Sequence, residues 1–245
     1  MKQGLFKIAS NTQIADKVYR MRLLGDSSGF IRGGQFADVA LEGKFLRRPF
    51  AATEWDSEGF SLIYKVVGEG TDRMKDLTPG TVLDVLTGLG NGFDPELCRE
   101  SALIVSGGLG ASPVFSLAKD LISNGKKVTV ILGFNSAADI FFVKEYEALG
   151  AKVAVATMDG SEGIKGLVTD AIDALKPEFD CFYTCGPKVM MKAVCSSLDA
   201  PGQASLEERM GCGCGICYGC TCHTTNGPAR VCADGPVFGK EDIIW

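Results

Sequence analysis

Six of the ten cysteines in this 245-residue chain lie between Cys212 and Cys232, in the run Met210-GCGCGICYGCTCHTTNGPARVC. Cys212, Cys217 and Cys220 have the spacing C-x4-C-x2-C, and Cys232 follows after eleven residues. This is the plant-type spacing for a [2Fe–2S] cluster, a carrier of single electrons. Each iron of such a cluster needs two thiolates. The glycines at 211, 213, 215 and 219 let a loop fold closely around it and aim backbone N–H groups at the sulfurs. The spacing leaves out Cys214 and Cys222, each close to a ligand position but off the register. Other chemistries use the same residues. Cys217-x2-Cys220 is also a zinc half-site, although Cys222 and Cys232 pair poorly as the second half. A disulfide framework fits badly with a chain that shows no signal peptide and has the makings of a large core. Free reactive thiols are the remaining alternative.

The composition narrows the classes. Net charge is −5, which gives no basic footprint for nucleic acid, and 46% of residues are apolar, enough for proper cores. No apolar run has the length that spans a bilayer. The N-terminal segment MKQGLFKIASNTQIADKVYRMRLL lacks a hydrophobic signal core. These features predict a soluble protein in a reducing cytoplasm, with no membrane and no nucleic-acid partner.

The elements that must position the cysteines change character along the chain. In residues 1–95, Lys17-VYRMRLLG, Gln35-FADVAL, Phe60-SLIYKVVG and Thr81-VLDVLTG read as strands separated by turn residues. No stretch there has convincing helical periodicity, so an antiparallel β-barrel is the natural closure. From residue 96 to 200 strands and helices alternate. The strands are Ser101-ALIVSG, Lys127-VTVILG, Lys152-VAVAT and Phe179-DCFYTCG. The helices are Ser112-PVFSLAKDLISNG, Ala138-DIFFVKEYEALG, Gly166-LVTDAIDAL and Lys188-VMMKAVCSSL. That alternation predicts a Rossmann-like α/β domain with a parallel sheet. The boundary falls in Gly92-FDPELCRE, and residues 201–245 form the cysteine-rich third unit.

Further motifs sit on these elements. Ser106-GGLGASP lies between a strand and a helix, where Gly108 and Gly110 let backbone approach a pyrophosphate. The same glycines also serve a tight structural turn, and the third glycine of the full fingerprint is absent. Gly133-FNSAAD ends the second strand without an arginine for a 2′-phosphate, which favours NADH over NADPH. Leu46-RRPFAAT offers guanidinium donors for phosphate and, in Phe50, an apolar face for a flavin ring. Tyr64, Lys65, Gly70 and Thr71 read equally well as ordinary strand and turn residues. Cys185-Gly186-Pro187 ends the last parallel strand, so Cys185 is placed either facing the nicotinamide or as a buried thiol before a turn. His223, the only histidine, reads as a solvated loop residue, which makes triad hydrolysis improbable. Glu207 and Glu208 read as a solvated face.

The order of barrel, nucleotide-binding domain and cysteine motif resembles the ferredoxin–NADP reductase superfamily. Within it, the chain is similar to the electron-transfer subunits of NAD-dependent dihydroorotate dehydrogenases. The resemblance spans nearly the whole chain. It rests on Arg47-RPFA, Ile63-YK, Glu69-GT, Gly88-LGNGF, Gly107-GLGASP, Cys185-GP with Met190, and the cysteine run continuing into Val231-CADGPVF. It implies FAD on Arg48, Pro49, Phe50 and Ala51, on Ile63, Tyr64 and Lys65, and on Gly70 and Thr71. Two departures stand out: the family has Ser at the position of Ala51 and Arg at that of Lys65. The implied relay runs from NADH through FAD and the cluster to the FMN of a catalytic subunit that oxidises dihydroorotate, or in reverse. A flavin must stand between a two-electron and a one-electron carrier. The implied assembly is a heterotetramer with that catalytic subunit, in pyrimidine biosynthesis. Two alternatives share features of this reading. One is the small subunit of a flavin-based NADH/ferredoxin:NADP oxidoreductase or sulfide dehydrogenase. The other is a zinc-bearing nucleotide-binding regulator.

Overall fold

The structure is a computed structural model covering all 245 residues. Six strands close an antiparallel barrel: β1 (Lys2–Ala15), β2 (Val18–Leu24), β3 (Phe36–Val39), β4 (Arg48–Asp56), β5 (Gly59–Lys65) and β6 (Val82–Leu89). Their order is β1-β2-β5-β4-β3-β6, so no edge is left unpaired. The interior follows the two-residue period: Phe6, Ile8, Met21, Leu23, Phe60 and Leu62 all point inward and are buried. Phe60 sits at the centre, with ring centroids 5.3 Å from Phe6 and 5.0 Å from Phe30.

Three elements of this half escape the sequence pattern, among them β4, whose burial shows no two-residue alternation. β1 buries only Phe6 and Ile8 among its 14 residues, too few for a visible alternation. The expectation of no helix is corrected by α1 (Glu69–Lys75), seven residues that bury only Gly70 and Met74. So short a helix has no periodicity to read. Tertiary contact holds it: the Asn11 amide on β1 donates to the carbonyls of Met74, at 2.8 Å, and Leu77, at 3.1 Å, just past its end.

The second half is a seven-stranded sheet. In chain order it contains β7 (Ser101–Gly107), α2 (Phe115–Ser123), β8 (Lys127–Phe134), α3 (Val143–Leu149), β9 (Lys152–Thr157), β10 (Ile164–Lys165), α4 (Val168–Leu175), β11 (Cys181–Cys185) and α5 (Lys188–Ser197). The strand order is β10-β9-β8-β7-β11, extended by β12 (Gly202–Ser205) and β15 (Val237–Gly239). Every pairing is parallel except β12 with β15. β7 lies centrally with both faces covered, and its Ala102 to Val105 are fully buried, as a continuous apolar run requires. α3 starts later than the pattern predicts. Phe142 takes a left-handed φ of 68°, and Phe141 and Phe142 pack into a cluster with Phe115 and Tyr146. Aromatic packing overrides helical propensity there.

The last segment is stitched into this sheet. β12 and, at the edge, β15 are its last two strands, and between them in the chain a hairpin of β13 (Thr221–Thr224) and β14 (Gly227–Arg230) carries part of the cysteine run. His223 is exposed, as the sequence suggests, but stands on β13. No helix is long and apolar enough to cross a membrane.

Phe60→Ala removes the ring at the barrel's centre and is expected to cost about 3–5 kcal/mol of stability. Urea unfolding of the cofactor-loaded protein measures it, and a change within error of zero contradicts this packing.

Candidate functional site

Two cavities meet between barrel and sheet. The first, about 340 Å³, lies at the carboxyl ends of β7, β8 and β11, where open α/β sheets bind ligands. Gly107, Gly108, Asn135, Met158, Pro187 and Met190 are among its lining residues. Gly108 has a φ of 53° and nothing within 4 Å of where a Cβ would stand, so it opens freely onto the cavity. Gly110 does not line it. A Cβ there would overlap the carbonyl oxygen of Cys185, so this glycine lets the turn after β7 lie directly on the end of β11.

The second cavity, about 280 Å³, lies between the barrel and β12. Of the residues singled out from the sequence, Pro49, Phe50, Ala51, Ile63, Tyr64, Lys65, Thr71 and Cys185 line it. Arg48 and Gly70 do not, but they touch each other: a Cβ on Gly70 would stand 2.9 Å from Arg48 Nε. The Arg48 guanidinium also donates to the Leu46 carbonyl at 2.6 Å. The Thr71 hydroxyl accepts the N–H groups of Val67 at 2.9 Å and Gly68 at 3.3 Å, which ties down the turn before α1. The Tyr64 hydroxyl donates to Asn11 Oδ1 at 2.9 Å, and burial pushes its pKa up to about 12. Burial likewise raises the Cys185 thiol well above its usual range, so it stays protonated. Lys65 and Leu109 line both cavities, and Lys65 Nζ pairs with Asp139 at 3.2 Å across the junction.

Beyond the second cavity the cysteine loop begins. Met210 lines the cavity, and Cys212 follows two residues on. All ten cysteines are free. The four assigned thiols fall into two neighbouring pairs, Cys212 with Cys217 and Cys220 with Cys232. Backbone N–H groups point at the sulfurs: Gly215 donates to Cys232 at 3.1 Å, Ile216 to Cys212 at 3.2 Å, and Gly219 to Cys217 at 3.4 Å. Burial opposes ionisation of Cys212, yet the backbone donors of Cys217, Cys214 and Ile216 outweigh it and lower its pKa to about 6. The tight turns put Gly213 and Gly215 at φ of 65° and 88°. Cys217 is exposed, between Ile216 and Tyr218, which are 78% and 64% exposed. Cys222 instead points into the core beside Val231 and Ile243, where a small apolar side chain suffices. Asp38 on β3 lies beneath the loop, with Oδ2 2.5 Å from where a Gly213 Cβ would be. Burial, partly offset by Arg47, raises the Asp38 carboxyl to about 6.

Sequence reasoning missed Ser112, Glu207 and Met210 as cavity residues. Glu207 is solvent-exposed, as its sequence context suggests, but its position at the end of β12 turns it toward the cavity too. Ser112 offers a hydroxyl where Ala51 has none, and it is hydrogen-bonded to Thr53 at 2.6 Å.

A closed six-stranded barrel, a parallel sheet with cavities at its carboxyl ends, and a cysteine loop beside one of them define a ferredoxin-reductase-like electron-transfer oxidoreductase. Comparison with known proteins agrees. The family model for the iron-sulfur cluster binding domain of dihydroorotate dehydrogenase B matches residues 207–244, and that for an oxidoreductase NAD-binding domain matches residues 104–196. The dihydroorotate dehydrogenase B (NAD(+)) electron transfer subunit of Bacillus pumilus is 40% identical over 255 residues, covering 99% of this chain and 98% of that one. The subunit of the same name from Fusobacterium nucleatum is 40% identical, with 96% of each chain covered. Among solved structures, the NADH-dependent reduced ferredoxin-NADP oxidoreductase superposes with a TM-score of 0.89 at 30% identity, covering 99% of this chain and 90% of that one. The cytochrome b5 reductase domain of Ulva prolifera nitrate reductase shares the fold, with a TM-score of 0.63 over 78% of this chain and 89% of that one at 18% identity. The chain belongs to the family of dihydroorotate dehydrogenase B electron transfer subunits. With the curated relatives and the iron-sulfur family model both of the dihydroorotate dehydrogenase B kind, neither the small subunit of an NADH/ferredoxin:NADP oxidoreductase or sulfide dehydrogenase nor the zinc regulator is favoured.

Gly110→Ala is expected to destabilise the protein by about 1–3 kcal/mol, because the new methyl group meets a backbone carbonyl that cannot rotate away. It should also weaken NADH binding in a titration of flavin reduction, since the turn after β7 must lift off β11. An unchanged unfolding midpoint refutes the close contact.

Proposed function

We propose that this chain passes electrons between NAD(H) and the catalytic subunit of a dihydroorotate dehydrogenase. FAD occupies the second cavity, and Cys212, Cys217, Cys220 and Cys232 hold a [2Fe–2S] cluster. The observation that carries this reading is continuity. Lys65 and Leu109 join the first cavity to the second, and Met210 joins the second to the cysteine loop. When bound, the three groups supply hydride exchange, the change from paired to single electrons, and single-electron carriage.

The residues fit these groups. Pro49, Phe50 and Ile63 give a flavin ring an apolar wall, and Arg48 beside Gly70 offers a fork of donors to the diphosphate. Ser112 places a hydroxyl in the cavity that Ala51 does not supply. Cys185, protonated and buried, closes the floor against water. Gly108 leaves room for the dinucleotide's phosphates, and the end of β8 presents Asn135 and no arginine, which favours NADH. Lys65 supplies one cationic group at the junction and lacks the arginine fork. At the cysteine loop, two thiol pairs suit two irons, and the N–H groups on their sulfurs stabilise the thiolate form.

The exposed edge of the loop, with Cys217, Ile216 and Tyr218, faces outward where a partner would dock. The partner is an FMN-containing subunit that oxidises dihydroorotate, in a heterotetramer of two chains of each kind. Ten free cysteines suit a reducing cytoplasm.

Cys217→Ser tests the exit. FAD reduction by NADH is expected to continue at its normal rate, while electron delivery to the purified FMN subunit falls to background. Delivery at the normal rate contradicts the relay. A co-purified partner without FMN or orotate binding contradicts the assigned reaction.

A further inference from the structure

The cysteine loop is braced from one side by a charged side chain that the relay leaves unused. Arg230, the last residue of β14, sends Nη1 to the carbonyl of Gly215 at 2.9 Å. The N–H of that same glycine donates to Cys232 Sγ at 3.1 Å. Arg230 is itself clamped: Nε and Nη2 each donate to Asp234 at 2.9 Å, and the Asp234 carboxylate also accepts the Arg230 backbone N–H at 2.8 Å. Its guanidinium lies 5.0 Å from the Tyr218 ring centroid. The space is fully used, since a Cβ on Gly215 would stand 2.8 Å from Ala233 and 3.2 Å from Arg230 Nη1.

This arrangement has a direction. One edge of the guanidinium, Nη1, is turned to the loop, and Nε and Nη2 are turned to the Asp234 carboxylate. Each electron that enters the cluster adds one negative charge a short distance away. A guanidinium never titrates near neutral pH, so its charge is fixed. Hydrogen bonds and nearby charge are the protein's means of setting a cluster's potential.

We propose that Arg230, oriented by Asp234, is the positioning residue that raises the reduction potential of the cluster, by holding its charge beside Cys232 and aiming the Gly215 N–H at the Cys232 sulfur. The proposal rests on the ligand reading above. It gives the cluster a potential that favours accepting electrons from the flavin. The pair stands 30% and 41% exposed, so solvent dilutes the effect without removing it.

The test is a potentiometric titration of the FAD- and iron-loaded protein, followed by the electron paramagnetic resonance of the reduced cluster. Arg230→Gln removes the cation and leaves Asp234 uncompensated. The ratio of reduced to oxidised cluster at the wild-type midpoint is expected to fall at least tenfold, a downward shift of about 59 mV for one electron. Asp234→Asn removes the anion while its Oδ1 still accepts from the guanidinium and keeps the cation oriented, so its midpoint is expected to rise. The flavin midpoint serves as the control and should stay in place. A merely structural brace would move both variants the same way. A loaded Arg230→Gln protein with an unmoved or raised midpoint overturns the proposal, as do shifts of the same sign. Should Arg230→Gln fail to hold iron, Arg230→Lys replaces it. A loaded Lys variant whose ratio stays within threefold of wild type, with Asp234→Asn raised, supports the proposal. Iron loss in that variant too, or a larger shift, overturns it. A cluster signal that survives Cys232→Ser refutes the ligand reading and the proposal with it, whereas iron loss there beside an unmoved Arg230→Gln midpoint refutes the proposal alone.

Discussion

The parallel pairing of β12 on β11 sets Ser205 opposite Cys185, and the rest of the site depends on that register. It places the Cys185 thiol at the floor of the second cavity. It also fixes where the chain leaves the sheet, so that Leu206, Glu207 and Met210 run along the cavity wall and deliver Cys212 at its far end. A slip of one residue would turn Ser205 and Glu207 to the opposite face and carry the cysteine loop with them. β15 then returns antiparallel to β12, so the loop is held at both ends by one sheet edge. The loop's distance from the second cavity is therefore a property of sheet geometry, with the loop itself adding only local shape.

Hydrogen bonding inside the loop does the finer work. Five backbone N–H groups, those of Gly215, Ile216, Cys217, Gly219 and Cys232, point at sulfurs, on a backbone that turns left-handed at Gly213 and Gly215. The barrel supports the loop from below through β3 and β6, since Phe36 and Leu89 share a core with Cys220 and Cys232. Barrel, sheet and loop thus meet around one apolar cluster.

Much of this was legible in the sequence, and the rest was hidden for identifiable reasons. The alternation of Ser101-ALIVSG with the helices after it gave the sheet, because buried parallel strands write an unbroken apolar run. The cysteine spacing gave the loop. α1 was invisible because seven residues carry no period, and β1 because only two of its residues face the core. Gly110 looked like a phosphate-binding glycine, but it is required by contact with Cys185, and spacing alone does not separate those two uses. Glu207 and Ser112 were missed because nothing local marks a residue that a distant strand register turns into a cavity. Cys222, a puzzle as a near-ligand, is a core thiol on the inward face of β13.

Lys65 and Leu109 stand where the two cavities join, and the proposed relay runs from NADH through the flavin to the cysteine loop. Rapid-freeze measurement after mixing the loaded protein anaerobically with NADH tests this most directly. Flavin bleaching is followed optically and the reduced-cluster signal by paramagnetic resonance. The account expects the cluster signal to rise only after the flavin is reduced, and to be absent in protein stripped of FAD. A cluster signal that forms without FAD, or before the flavin bleaches, contradicts it.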